Sequence, residues 1–143
     1  MKNPVLFLKF TALTLFALLV GCSPLISTFD QTSYSQVIST KVDALALMDK
    51  SVEDYSLHAK EVDDFKLEFA KAIEYDKHRP NNEITSKQWQ ILSDPDGHLM
   101  GGFLVKWKKD GKESPGLVTL LKVVIDSSFN QIAELEIKKI KQK

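Results

Sequence analysis

Residues 34–76, YSQVISTKVDALALMDKSVEDYSLHAKEVDDFKLEFAKAIEYD, contain the apolar pattern from which the fold is predicted. Its apolar residues recur at alternating steps of three and four, which is the spacing of one helix face. Lys41 and Lys66 interrupt this seam, whose other members are Tyr34, Ile38, Leu45, Met48, Val52, Tyr55, Ala59, Val62, Phe69 and Ile73. The pattern predicts a long first helix of roughly 65 Å. A break near Lys50 stays open as an alternative, because Ser51 followed by Asp54 can cap a second helix.

Two shorter segments follow this helix. Pro80 ends the helical pattern, since it cannot continue the backbone ladder. Thr85 is the predicted N-cap of the next helix, with Gln88 completing a capping box. Residues 94–97, DPDG, are a turn signal that keeps this helix short.

Residues 98–109 fit two patterns. Leu99, Phe103 and Trp107 form one helical face, whereas Phe103, Val105 and Trp107 alternate as in a strand that leads into a hairpin. The helix is favoured because the strand that would follow, KESPG, is polar and contains a proline.

A strong N-terminus begins the last helix, where Ser114 caps and Pro115 takes the first helical position. The apolar pattern continues to about Ile140. Short connections favour antiparallel neighbours. The predicted fold is therefore all-α: an elongated antiparallel helical bundle of three to four helices over residues 34–143, with a long first helix.

The N-terminal 21 residues have the anatomy of an export signal. Lys2 and Lys9 form a basic region, an apolar run covers residues 10–20, and Gly21 is a small residue. The apolar run is about half the length that a membrane-spanning helix needs. We therefore exclude residues 1–21 from the fold.

The end of this signal, Leu19-Val20-Gly21-Cys22, resembles the lipobox of bacterial lipoproteins. The resemblance implies cleavage before Cys22 and acylation of its thiol, usually followed by acylation of the new amino group. Two or more acyl chains anchor a protein stably. Ser23, where an Asp would commonly retain such a protein in the inner membrane, implies the periplasmic face of the outer membrane. In an organism with one membrane, the same signal implies the outer face of the cell membrane. Residues 22–33 are then expected to be the lipidated cysteine and a flexible tether.

The charge balance argues against nucleic-acid binding. Removing residues 1–21 removes Lys2 and Lys9 and no acid, which leaves a net charge of about −2 on a chain with Arg79 as its only arginine. Nucleic-acid-binding domains are usually basic and use arginine to read phosphates and bases.

No familiar catalytic or metal-binding pattern is present in the sequence. The histidines His58, His78 and His98 are too far apart in sequence for an i, i+4 metal pair. The DPDG turn fails the register of a calcium loop. The sequence therefore predicts no catalytic residue, no metal ligand and no cofactor.

Two features are candidates for binding. Large apolar side chains are concentrated in one short region and could form either core or a partner or ligand surface: Trp89, Met100, Phe103, Leu104 and Trp107. The chain ends with lysines that could contact lipid headgroups or complement the helix dipole: Lys138, Lys139, Lys141 and Lys143.

These observations lead to two hypotheses. The first is a non-enzymatic, membrane-anchored lipoprotein that acts as a structural or protein-interaction module in the cell envelope, with an envelope protein or a second copy as its partner. The alternative is a module that binds a small apolar ligand or a lipid between the helices around Trp89 and Trp107.

Overall fold

The computed structural model describes residues 26–142, with the side chains of residues 26–140. This part of the chain is helical and has no strand, which confirms the all-α prediction. The elements are α1 (Gln31–Lys50), α2 (Tyr55–Lys77), α3 (Glu83–Ser93), α4 (Met100–Asp110), α5 (Pro115–Lys138) and a short 3-10 helix (Lys139–Gln142). These residues thus form five α-helices rather than three to four, because the predicted long helix is divided in two.

The division lies where the sequence allowed a break. Ser51 follows the last residue of α1, and its hydroxyl donates to the Met48 carbonyl at 2.6 Å. Asp54 caps α2 by accepting a hydrogen bond from the Ser56 amide at 2.9 Å. The prediction of one continuous first helix of roughly 65 Å is therefore wrong, and the alternative of a break near Lys50 is right.

The loop between α4 and α5 stabilises this break. The Tyr55 amide donates to the Gly111 carbonyl at 2.6 Å, and the Glu113 amide donates to the Ser51 carbonyl at 2.7 Å. These bonds satisfy backbone groups that would lack partners where the helix is interrupted. The heptad pattern continues across the gap, but its member Val52 is exposed.

Most of the other helix boundaries lie where the sequence predicts them. α3 begins after Asn82, so the prediction of Thr85 as its N-cap is wrong. α4 confirms the helical interpretation of residues 98–109. The Ser114 hydroxyl caps α5, with Pro115 at the first position as predicted.

The start of α4 packs closely on the turn that precedes it. A Cβ atom added to Gly101 would lie 2.2 Å from the Ser93 carbonyl oxygen, and one added to Gly102 would lie 1.8 Å from the Gly97 carbonyl oxygen. Any larger residue would force these backbone segments apart.

The helices pack around one core. α1 contacts α2 and α5, α3 contacts α2 and α5, and α4 contacts α2 and α3. Rising residue numbers in α1 meet falling numbers in α5: Asp30 with Glu136, Lys41 with Asn130, and Asp49 with Lys122.

Candidate functional site

The apolar residues proposed as a partner or ligand surface lie inside the core. Each of them is at most 2% exposed: Trp89, Met100, Phe103, Leu104 and Trp107. The Trp89 ring packs on Phe69 and Phe129, with ring centroids 5.6 and 6.0 Å apart. These side chains offer no surface to a partner in this structure. The structure therefore places these side chains in the core, which is the first of the two assignments that the sequence left open, and gives no support to an exposed surface formed by them.

The most unusual feature is a cluster of buried and partly buried polar side chains at one end of the helical domain. We call it the polar network: Ser27, Ser33, Asp76, Arg79, Asn82, Thr85, Glu136 and Lys139. Its members come from the start of α1, the end of α2, the start of α3 and the end of α5 with the residue after it. We call this end the near pole, because it includes Ser27, at the start of the described chain and close in sequence to Cys22.

Glu136 is the acceptor at the centre of the network. Its carboxylate is fully buried and accepts hydrogen bonds from the two terminal nitrogens of the Arg79 guanidinium, at 3.1 and 3.0 Å. It also accepts hydrogen bonds from the Lys139 ammonium and, at 2.7 Å, from the Asp30 amide. Charge-assisted bonds of this kind are among the strongest in proteins.

Asp76 is the second buried carboxylate. It accepts hydrogen bonds from the Ser33 hydroxyl at 2.7 Å, the Arg79 guanidinium at 3.1 Å and the Trp89 indole at 2.6 Å. The indole bond joins the network to the core. Asp76 and Glu136 together balance the charges of Arg79 and Lys139, so the cluster is formally neutral.

Lys139 is buried rather than at the surface. It is 4% exposed, and its ammonium donates to the Asn82 side chain at 2.8 Å and to the Thr85 hydroxyl at 3.2 Å as well as to Glu136. The prediction that Lys139 contacts lipid headgroups is therefore wrong. Lys138 is exposed and remains a candidate for that contact.

The lipidation site and two of the predicted headgroup contacts fall outside what the structure describes. Cys22 and Lys143 lie outside the described residues, as does the side chain of Lys141.

The network also binds the chain that precedes α1. The Ser27 hydroxyl donates to the Asn82 side chain at 2.8 Å, and the Thr28 carbonyl accepts a bond from Arg79 at 2.5 Å. The Asp30 amide donates to Glu136. Residues 27–33 therefore belong to the folded domain rather than to the tether predicted for residues 22–33.

The pKa values of Arg79 and Asp30 are shifted in the direction that favours their charged forms. Burial opposes the charge of Arg79, but its hydrogen bonds to Glu136 and Asp76 outweigh burial and raise the pKa of the guanidinium. Burial likewise opposes the charge of Asp30. Hydrogen bonds from the Ser33 amide and the Tyr75 hydroxyl, with the Arg79 charge, lower the pKa of Asp30.

The sequence contains a signal for the network, although the apolar pattern alone does not predict it. Glu136 continues the buried stripe of Ile125, Phe129 and Ile132 on α5. Asp76 continues the buried stripe of α2 in the same way. A carboxylate at a position that should be apolar indicates a buried partner of opposite charge.

A second ionic group lies around His58, at the start of α2. Its ring nitrogens lie 3.1 Å from a Glu61 carboxylate oxygen and 3.0 Å from a Glu53 carboxylate oxygen. The hydrogen bonds to Glu61 and Glu53 raise the pKa of His58. In residues 26–142, no group of three or more His, Cys, Asp or Glu side chains is placed to hold a metal ion.

The outer face of α5 carries exposed aliphatic side chains. Leu120 and Val123 are 70% and 69% exposed, and Val124 is half exposed. Their neighbour Lys122 forms an ion pair with Asp49 across the α1–α5 contact. Within residues 26–142, each helix is too short or too polar to cross a bilayer.

The chain matches no protein-family model, no curated protein and no solved structure.

Proposed function

We propose that this protein is a membrane-anchored bacterial lipoprotein that acts as a non-enzymatic structural or protein-interaction module. Its location would be the periplasmic face of the outer membrane, or the cell membrane in an organism with one membrane. The helices would form an elongated antiparallel bundle, an arrangement supported by the reversed order of the contacts between α1 and α5.

The observation that carries this proposal is the short distance in sequence between the lipobox and the folded domain. Ser27 is already hydrogen-bonded to the domain through Asn82, five residues after Cys22. A domain fixed this closely to a lipidated residue is held at the membrane surface. Such a placement suits a structural or adaptor role on the membrane.

The rival hypothesis, a binding site for a small apolar ligand, loses the residues that motivated it. Trp89 and Trp107 are fully buried by their neighbours, and the Trp89 indole is engaged by Asp76. A protein partner would instead contact exposed apolar side chains. Leu120 and Val123 are the most exposed of these on α5, and their partner would present an uncharged apolar surface.

The anchor is tested by a Cys22→Ser variant expressed in cells with a labelled fatty acid. We expect the unmodified chain to carry the label and to sediment with membranes, and the variant to lose both properties. A chain that is unlabelled but cleaved and released would contradict the lipid anchor.

The interaction role is tested by in-cell photo-cross-linking from positions 120 and 123, with position 71 on α2 as the control. We expect one discrete adduct from the α5 positions that disappears when Val124 is replaced by Glu. An adduct of twice the chain mass would identify a second copy as the partner. The same adducts from position 71 would contradict a specific surface on α5.

A further inference from the structure

The near pole has a second property besides its buried network, which is a group of exposed aliphatic side chains around the start of the described chain. Ile84 at the start of α3 is 58% exposed, and Ile140 in the 3-10 helix is 50% exposed. Ile26 is half-buried and lines one recess together with Ile84 and Lys139. Lys138 lies at the same end of α5, where it is 68% exposed and its ammonium is 3.7 Å from the Glu134 carboxylate.

The covalent chain limits how far this surface can lie from the anchor. Four Cα–Cα steps separate Cys22 from Ile26, so the two residues can be at most about 14 Å apart. The opposite end of α5 is much more distant. Leu120 lies sixteen residues before Glu136 on one helix, which corresponds to roughly 24 Å.

The polar network extends this limit on distance from the anchor to the whole domain, because it fixes the chain before α1 to the helices. Because residues 27–30 are bonded to Arg79, Asn82 and Glu136, the chain cannot lengthen its connection without breaking these hydrogen bonds, of which the one from Ser27 is buried. The four charges of the network are paired with one another, so they do not by themselves resist an approach to lipid, whereas the exposed carboxylate of Glu83 beside Ile84 would stay among the headgroups.

We propose that the near pole rests on the bilayer that holds the anchor, with Ile84 and Ile140 in the interfacial region and Lys138 at the headgroups. This inference rests on the proposed lipid anchor and adds to it an orientation. Aliphatic side chains beside a cation are the composition that favours shallow contact with an anionic interface. The outer face of α5 near Leu120 then lies away from the lipid and is free for a protein.

The test uses the acylated full-length chain in vesicles of phosphatidylethanolamine and phosphatidylglycerol with brominated acyl chains. Cys22 is the only cysteine and acylation blocks its thiol, so one introduced cysteine is the only site for a fluorescent label. The test variants are Ile84→Cys and Ile140→Cys. The matched controls are Leu57→Cys and Leu120→Cys, which replace aliphatic residues that are each 70% exposed and distant from the near pole.

We expect bromine to quench the labels at 84 and 140 several-fold more strongly than those at 57 and 120. Similar quenching at all four positions, or stronger quenching at the controls, would overturn the orientation. Flotation of the same vesicles separates this outcome from failure of the anchor. Protein that floats without selective quenching contradicts only the orientation, whereas protein that does not float contradicts the lipid anchor and the orientation with it.

Discussion

Replacing Glu136 with glutamine tests whether the buried charges of the near pole stabilise one another. The carboxylate is fully buried and binds Arg79, Lys139 and the Asp30 amide. Glutamine preserves the shape and removes the negative charge, so Asp76 becomes the only buried countercharge for two cations. Removing one partner of a buried ion pair typically costs about 3–5 kcal/mol of unfolding free energy, and we expect a loss in this range.

The assay is urea denaturation of residues 23–143, followed by the fluorescence of the buried tryptophans. For a slope of about 1.5 kcal/mol per molar urea, the expected loss lowers the midpoint by about 2–3 M. Glu134→Gln is the matched control, because Glu134 is two residues away and 68% exposed. Its carboxylate lies 3.7 Å from the Lys138 ammonium, in an ion pair at the surface. Its effect should stay within about 0.5 kcal/mol.

A second variant separates charge balance from packing. Lys139→Met in the Glu136→Gln background removes the surplus cation. We therefore expect the losses in unfolding free energy to be non-additive. The loss of the double variant should be smaller than the sum of the two single losses by at least about 1 kcal/mol. Additive losses, or a Glu136→Gln variant as stable as Glu134→Gln, would refute the argument that these charges compensate one another.

Two further predictions concern other parts of the domain. Hydrogen bonds to Glu61 and Glu53 raise the pKa of His58 in the folded protein above its ordinary value of 6.5. The protonated imidazole therefore stabilises the fold below pH 6.5, and this contribution is lost as pH rises through the higher pKa of the folded state. The difference in unfolding free energy between the unmodified chain and His58→Gln should therefore shrink as pH rises, and a difference independent of pH would contradict this. Gly102→Ala should destabilise the chain by about 1–3 kcal/mol because its Cβ would meet the Gly97 carbonyl. Gly116→Ala, where a Cβ meets nothing within 4 Å, should leave the thermal midpoint unchanged or slightly higher, and equal losses at both glycines would refute the steric explanation.

The helical class and most helix boundaries could be predicted because they depend on local chemistry. Ser114 with Pro115, and Asp54 before α2, are signals that act through the nearest few residues. The break after Lys50 was visible only as an alternative. The heptad pattern continues through the break. One hydrogen bond that stabilises the break runs from the Tyr55 amide to the Gly111 carbonyl, and Gly111 is distant in sequence.

The near pole could not be assembled from the sequence, since its members are separated by up to 112 positions, from Ser27 to Lys139. Asp30 and Glu136 meet only when α1 and α5 pack together. The role of Trp89 was ambiguous for a related reason. Apolar composition is the same in a core and in an interface, and only the packing of Phe69 and Phe129 on the indole distinguishes the two.

The attachment of residues 27–30 has a mechanical consequence. A pull on the chain at Cys22 is transmitted into the domain first through the hydrogen bonds of Ser27, Thr28 and Asp30. These bonds end on α2, α3 and α5 or on the residues beside them, so the load is shared among several elements and does not peel one helix from the rest. The described domain would therefore resist such a pull as one body, through several helices at once. Under the proposed lipid anchor, a protein that docks on the face of α5 would therefore meet a domain that stays folded when its attachment is pulled.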